Sequence, residues 1–139
     1  MVLDGMLSRS VWKLNLVPTL QDACEKLSQS GASTIITDAD LPRGRSWRDL
    51  VRLTQGMTPS PPVIVVSQPG DERLWAEVLN LGGFDVLLRP FDSQEVLHTV
   101  SMAGRNWRDR IALASAQQEA LAQSRGFIQN KGRFHRAQG

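Results

Sequence analysis

Asp38 and Asp40 stand two residues apart in the stretch STIITDADLP (33–42), and Pro42 follows Asp38 by four positions. Small and β-branched residues lead into the first carboxylate, so the run reads as a short buried strand that ends on an acid. An acid in that position belongs either to a turn or to a site. The choice depends on what else arrives at the same place. VIVVS (63–67) is the most strongly β-branched run in the chain and ends on Ser67, and FDVLL (84–88) leads directly into Arg89. A carboxylate, a hydroxyl and a cation therefore each close a different apolar run. Other chemistries are poorly supplied. There are two histidines, neither beside a candidate nucleophile, and the chain has no CxxC, no Gly-rich phosphate loop and no Ser-His-Asp order. A hydrolase reading is poor on these grounds, and His98 reads as a surface residue of a helix.

The elements that must position these residues alternate between two periods. VWKLNLV (11–17) sets Trp12, Leu14 and Leu16 on one face, as an edge strand would. In PTLQDACEKLSQSG, Thr19 and Asp22 form an acidic capping pair, Leu20, Ala23, Cys24 and Leu27 make a helical stripe, and Gly31 can end it. GRSWRDLVRLTQGM repeats this grammar, with Ser46 and Asp49 as the cap and Trp47, Leu50, Val51 and Leu53 as the stripe. ERLWAEVLNLGG puts Leu74, Trp75, Val78 and Leu79 on one side. A long helix capped by Asp92 and Glu95 then carries Val96, Leu97, Val100, Ala103, Trp107 and Ile111. It continues as an exposed extension through ALASAQQEALAQ. Strands alternating with helices predict a parallel sheet with right-handed crossovers and helices on both faces. In such sheets the functional crevice lies beyond the strand C-termini, which is where Asp38, Ser67 and Arg89 all fall. This convergence favours a site over a turn. The tryptophans, all in apolar stripes or strands, read as core residues or as marks of a dimer face.

Composition agrees with one globular domain: 139 residues, 41% hydrophobic and 22% charged. The domain is expected over residues 1–115. Residues 116–139 form a helical extension and a basic tail, with order lost past Arg125. Arg125, Lys131, Arg133 and Arg136 have no acid among them and account for much of the net charge of +2. The lone Cys24 reads as a small core residue. A single cysteine and no signal-like start point to a reducing cytoplasm. No apolar stretch approaches the ~20 residues of a membrane span.

Taken together, DADLP, PVIVVS and LLRPFD, with LGGFDV upstream, resemble the receiver domain of bacterial two-component response regulators from about residue 2 to about residue 110. The resemblance implies a flavodoxin-like doubly wound parallel sheet and a signalling role in a phosphorelay rather than an enzyme. It makes Asp38 the phosphoacceptor, and Ser67 and Arg89 the residues that bind the phosphoryl group and report it. Mg²⁺ would be held weakly by the Asp38 side chain and the Asp40 backbone carbonyl. A sensor histidine kinase or a downstream protein is the implied partner, with a homodimer as a further arrangement.

The sequence also departs from that pattern. The residues before Trp12 are too few for a strand plus a helix, which need about 25. Leu3, Met6 and Leu7 look like the last turns of a first helix, so the first strand, with the acidic pair that holds the metal in this family, is expected to be missing. A truncated reading frame or a recent N-terminal loss is the favoured explanation, ahead of direct pairing of the second and third strands or an edge lent by another chain. Arg89 stands where the family has lysine, Val86 where it has an aromatic, and Gln68-Pro69 follow Ser67 where a small residue is usual. These departures keep open a second reading, a pseudo-receiver that engages a protein partner without phosphorylation. Nucleic-acid binding through KGRFHR is a distant third, since one short basic cluster is usually only solvated.

Overall fold

The computed structural model describes residues 2–7, 19–30 and 34–138, with the backbone path alone past Ser124. The three apolar runs form β1 (Ile35–Asp38), β2 (Val63–Ser67) and β3 (Asp85–Leu88). They make a parallel sheet in the order β1-β2-β3. Asp38 lies opposite Val66, and Ser67 lies opposite Leu88. The strands thus end together at one rim. Around them lie α1 (Val2–Leu7), α2 (Leu20–Ser30), α3 (Trp47–Gln55), α4 (Glu72–Asn80) and α5 (Ser93–Gln138).

Side chains alternate across a strand, and β2, buried along its whole length, sends them into two separate cores. Ile64 joins Leu87 with Leu3 and Leu7 of α1 and Val96, Val100 and Ala103 of α5. Val63 and Val65 join Trp47 and Val51 of α3 and Leu74 and Val78 of α4. Helices therefore cover both faces, the doubly wound flavodoxin-like arrangement that the alternation predicts.

The helix starts follow the capping residues. The Asp22 N–H donates to Thr19 Oγ1 at 3.1 Å. The Arg48 N–H donates to Ser46 Oγ at 3.2 Å, and the Ser46 N–H donates to Asp49 Oδ2 at 2.8 Å, closing a capping box at the head of α3. At α5 the Gln94 N–H donates to Asp92 Oδ1 at 3.0 Å.

Some expectations need correction. Trp75 is 55% exposed and Leu79 is also exposed, while Leu74 and Val78 of the same stripe are buried. The helix turns only its 74/78 side to the sheet, and Trp75 and Leu79 lie about 100° further round. Trp47 is a core residue at 2% exposure, whereas Trp107 is half-buried and Ile111 is exposed. β1 is not buried on both faces: only Thr37 is buried, and Asp38 is exposed. Among the described residues β1 has a strand neighbour on one side alone. α5 runs on as helix to Gln138. Its Ala, Gln and Arg content favours helix, and each of Gly126 and Gly132 subtracts only about 1 kcal/mol. The expected strand at 11–17 with Trp12, Leu14 and Leu16, the Gly31 stop, and the side chains of Asp4 and Cys24 lie outside the described residues. Among the described residues no helix is long and apolar enough to cross a membrane.

Candidate functional site

β1 delivers Asp38 to the rim with its side chain 59% exposed. The backbone beside it is fixed: Thr37 Oγ1 donates to the Asp38 carbonyl at 2.9 Å. The chain then folds back on itself through residues 39–46. Leu41 N–H donates to Arg45 O at 2.9 Å, Trp47 N–H to Ala39 O at 3.1 Å, and Asp40 pairs with Ser46 as an antiparallel bridge. The tip is a tight turn from Pro42 to Arg45, with Arg43 at φ 63° and Gly44 at φ 71°. Both central residues are left-handed, a geometry that suits Gly44 and costs Arg43 about 1–2 kcal/mol. The backbone of Asp40, whose carbonyl is the candidate metal ligand, is thereby held, while its carboxylate is exposed.

From the far side of the sheet comes Arg89. Its N–H donates to Ser67 O at 3.0 Å, which ties it to the end of β2. Its guanidinium donates through Nη2 to Asp38 Oδ1 at 3.0 Å and lies 5.6 Å from the centroid of the Phe91 ring. The Arg89–Pro90 peptide is cis. Residues 51 positions apart in the sequence thus meet as an ion pair, because parallel strands bring their ends to one place. The pair is half-exposed, Arg89 at 42%, so on its own it stabilises by no more than about 1 kcal/mol.

Ser67 does not reach the pair. It is buried at 3% exposure, and its hydroxyl donates to Gln68 O at 3.1 Å. It borders the site through the backbone bond that its carbonyl accepts from Arg89. Phe91 was not foreseen as part of the site. The signal available was the two-residue spacing of an arginine and an aromatic in RPF, which lets the ring sit beneath the guanidinium.

The oxygen supply is short for a hard divalent cation, which wants several oxygen ligands in a near-octahedral set. The rim offers the Asp38 carboxylate and the Asp40 carbonyl. Among the described residues no three His, Cys, Asp or Glu side chains gather closely enough to hold a metal. Asp4, on α1, is the one acid of the chain whose side chain is outside the description. Arg89 also already occupies one Asp38 oxygen. The described residues do not make a metal centre by themselves.

Residues 1–101 match the family model of the response regulator receiver domain. A curated relative, the DNA-binding transcriptional regulator NtrC of Bradyrhizobium sp. (strain RP501 Parasponia), is 27% identical over 111 residues, which is 80% of this chain and 23% of the relative. The chain thus spans less than a quarter of that relative's length. Among solved structures, the receiver domain of NtrX from Brucella abortus superposes with a TM-score of 0.68 at 17% identity, covering 75% of this chain and 88% of that one. The signal receiver domain of an HD domain-containing protein from Pseudomonas fluorescens Pf-5 gives 0.67 at 24% identity, covering 78% and 86%. At these identities the superpositions speak for the fold.

Proposed function

Because this chain belongs to the response regulator receiver domain family, we propose that it is a phosphorelay signalling module in which Asp38 accepts the phosphoryl group and Arg89 binds it. The observation that carries the reading is the meeting of Asp38 and Arg89 at 3.0 Å on the rim where the strands end. A carboxylate is a competent nucleophile toward phosphorus, and a cation beside it neutralises the charge that develops. The exposure of Asp38 supports access by a phosphorylated donor. Receiver domains work with a histidine kinase or a downstream effector, and here a kinase is the proposed donor. The role is that of a signalling protein rather than an enzyme, in the cytoplasm. A homodimer is the proposed alternative to a separate target. In receiver domains generally Mg²⁺ sits at the phosphorylation site. The Asp38 side chain and the Asp40 carbonyl are the groups this rim offers toward such an ion, and among the described residues they are too few to hold it alone.

A second reading, the pseudo-receiver that engages a protein partner without phosphorylation, is favoured by the short set of metal ligands. Incubation with acetyl phosphate and Mg²⁺, followed by intact mass, separates the two. Gain of one phosphoryl group by the wild type and not by Asp38→Asn supports the acceptor. An unchanged mass in both supports the pseudo-receiver.

A further inference from the structure

We propose that Arg89 replaces the divalent cation at the Asp38 rim, so that this site takes a phosphoryl group with the guanidinium as its neutralising charge. The inference rests on the reading of Asp38 as the acceptor. Three features of the rim lead to it. The first is the supply of oxygen: one carboxylate and one carbonyl, with no cluster of three ligating side chains among the described residues. The second is occupancy. Arg89 Nη2 is hydrogen-bonded to Asp38 Oδ1, so a divalent ion on the same carboxylate would sit against a positive charge. The third is the way Arg89 is held. Its backbone N–H is bound to Ser67 O and its head lies by the Phe91 ring, so both ends of the side chain have a support that does not depend on Asp38.

Arginine suits this task where lysine would not. A lysine ammonium is a point charge, whereas the guanidinium is a planar fork that matches two oxygens of a phosphoryl group at once. The half-exposed Arg89–Asp38 pair is weak, so the fork can pass from the carboxylate to the incoming group at little cost.

The step balances without a metal or a proton transfer. With Oδ1 held by Arg89, Oδ2 of Asp38 attacks the phosphorus of an acyl phosphate. The Oδ2–P bond forms, the bond from phosphorus to the acyl oxygen breaks, and the carboxylate leaves with that electron pair. The site passes from one negative charge to the two of an acyl phosphate, and the guanidinium remains beside them.

The test uses the whole chain, acetyl phosphate, and intact mass against time, with Mg²⁺ or with EDTA. Wild-type protein is expected to label at the same rate in both buffers. Arg89→Gln is expected to label at least about tenfold more slowly in both, while retaining the wild-type circular dichroism spectrum and melting midpoint. Labelling in Mg²⁺ that disappears in EDTA overturns the role of Arg89 and leaves the acceptor standing. Absence of label in both buffers overturns the acceptor, and the transfer step with it. An independent arm needs no transfer: Mn²⁺ is added to the wild type at concentrations matching the protein, and the amide spectrum is recorded. Broadening no greater at 38–40 than elsewhere supports the proposal, and broadening confined to those amides overturns it.

Discussion

Trp47 and Trp75 occupy similar apolar stripes in the sequence and opposite surroundings in the fold. Trp47 is among the largest fully buried side chains, and Trp75 is more than half exposed. Replacing Trp47 by alanine should cost about 3–5 kcal/mol in urea denaturation. Trp75→Ala should stay within about 0.5 kcal/mol of the wild type. Gly83 makes a sharper case. A Cβ there would lie 2.3 Å from Val78 Cγ1 and 3.0 Å from the Val78 carbonyl, in a helix end that cannot retreat. Gly83→Ala should therefore cost about 1–3 kcal/mol by the same measurement. Individual residues were unevenly legible. Asp38, Ser67 and Arg89 could be assigned to the rim because strand ends are readable from β-branched runs. The departure of the Ser67 hydroxyl toward Gln68, and the seat of Arg89 by Phe91, depend on rotamers that no spacing encodes.

Elements were read most accurately where a local hydrogen bond defines them. Ser46 and Asp49 mark the start of α3 in the sequence, and both cap bonds form. Ser46→Ala should lower stability by about 1 kcal/mol, as a shifted urea midpoint with an unchanged slope. The extent of burial was harder to read. A helical stripe gives the apolar side of α4 but not how far its neighbours wrap around it, and so Trp75 and Leu79 share the stripe of Leu74 and Val78 without sharing their burial. α5 shows the same limit over a greater length. Val96, Val100 and Ala103 are buried, while Leu113 and Leu121 are exposed. A single helix without packing is marginal in water. Amide exchange should thus be slow in β2 and in α5 up to Ala103, and should quicken steadily beyond Arg110. Equal protection along the whole of α5 would show that its exposed half has found a partner surface.

At the level of the whole molecule, the sheet divides the interior into two cores that share β2 but not side chains. Val78→Ala on one side and Val100→Ala on the other should accordingly add within about 0.5 kcal/mol in the double mutant. A marked deviation would mean that β2 shifts as a unit and transmits strain across the sheet. This two-sided architecture was legible from the alternation of periods alone, since parallel strands leave few topologies. Whether a strand fills the outer side of β1 was not, because the run at 11–17 carries the right pattern for a strand and no mark of its neighbour. One segment joins the rim to the rest of the molecule. Arg89, hydrogen-bonded to Asp38, stands three residues before Asp92, whose carboxylate and carbonyl accept the first bonds of α5. At ~1.5 Å per residue, the 46 residues of α5 make an arm of about 70 Å, and a tilt of roughly 5° at its first turn would swing the far end by about 6 Å. The rim and α5 thus stand to each other as fulcrum and pointer, and a rearrangement of one side chain is geometrically sufficient to be read at a distance.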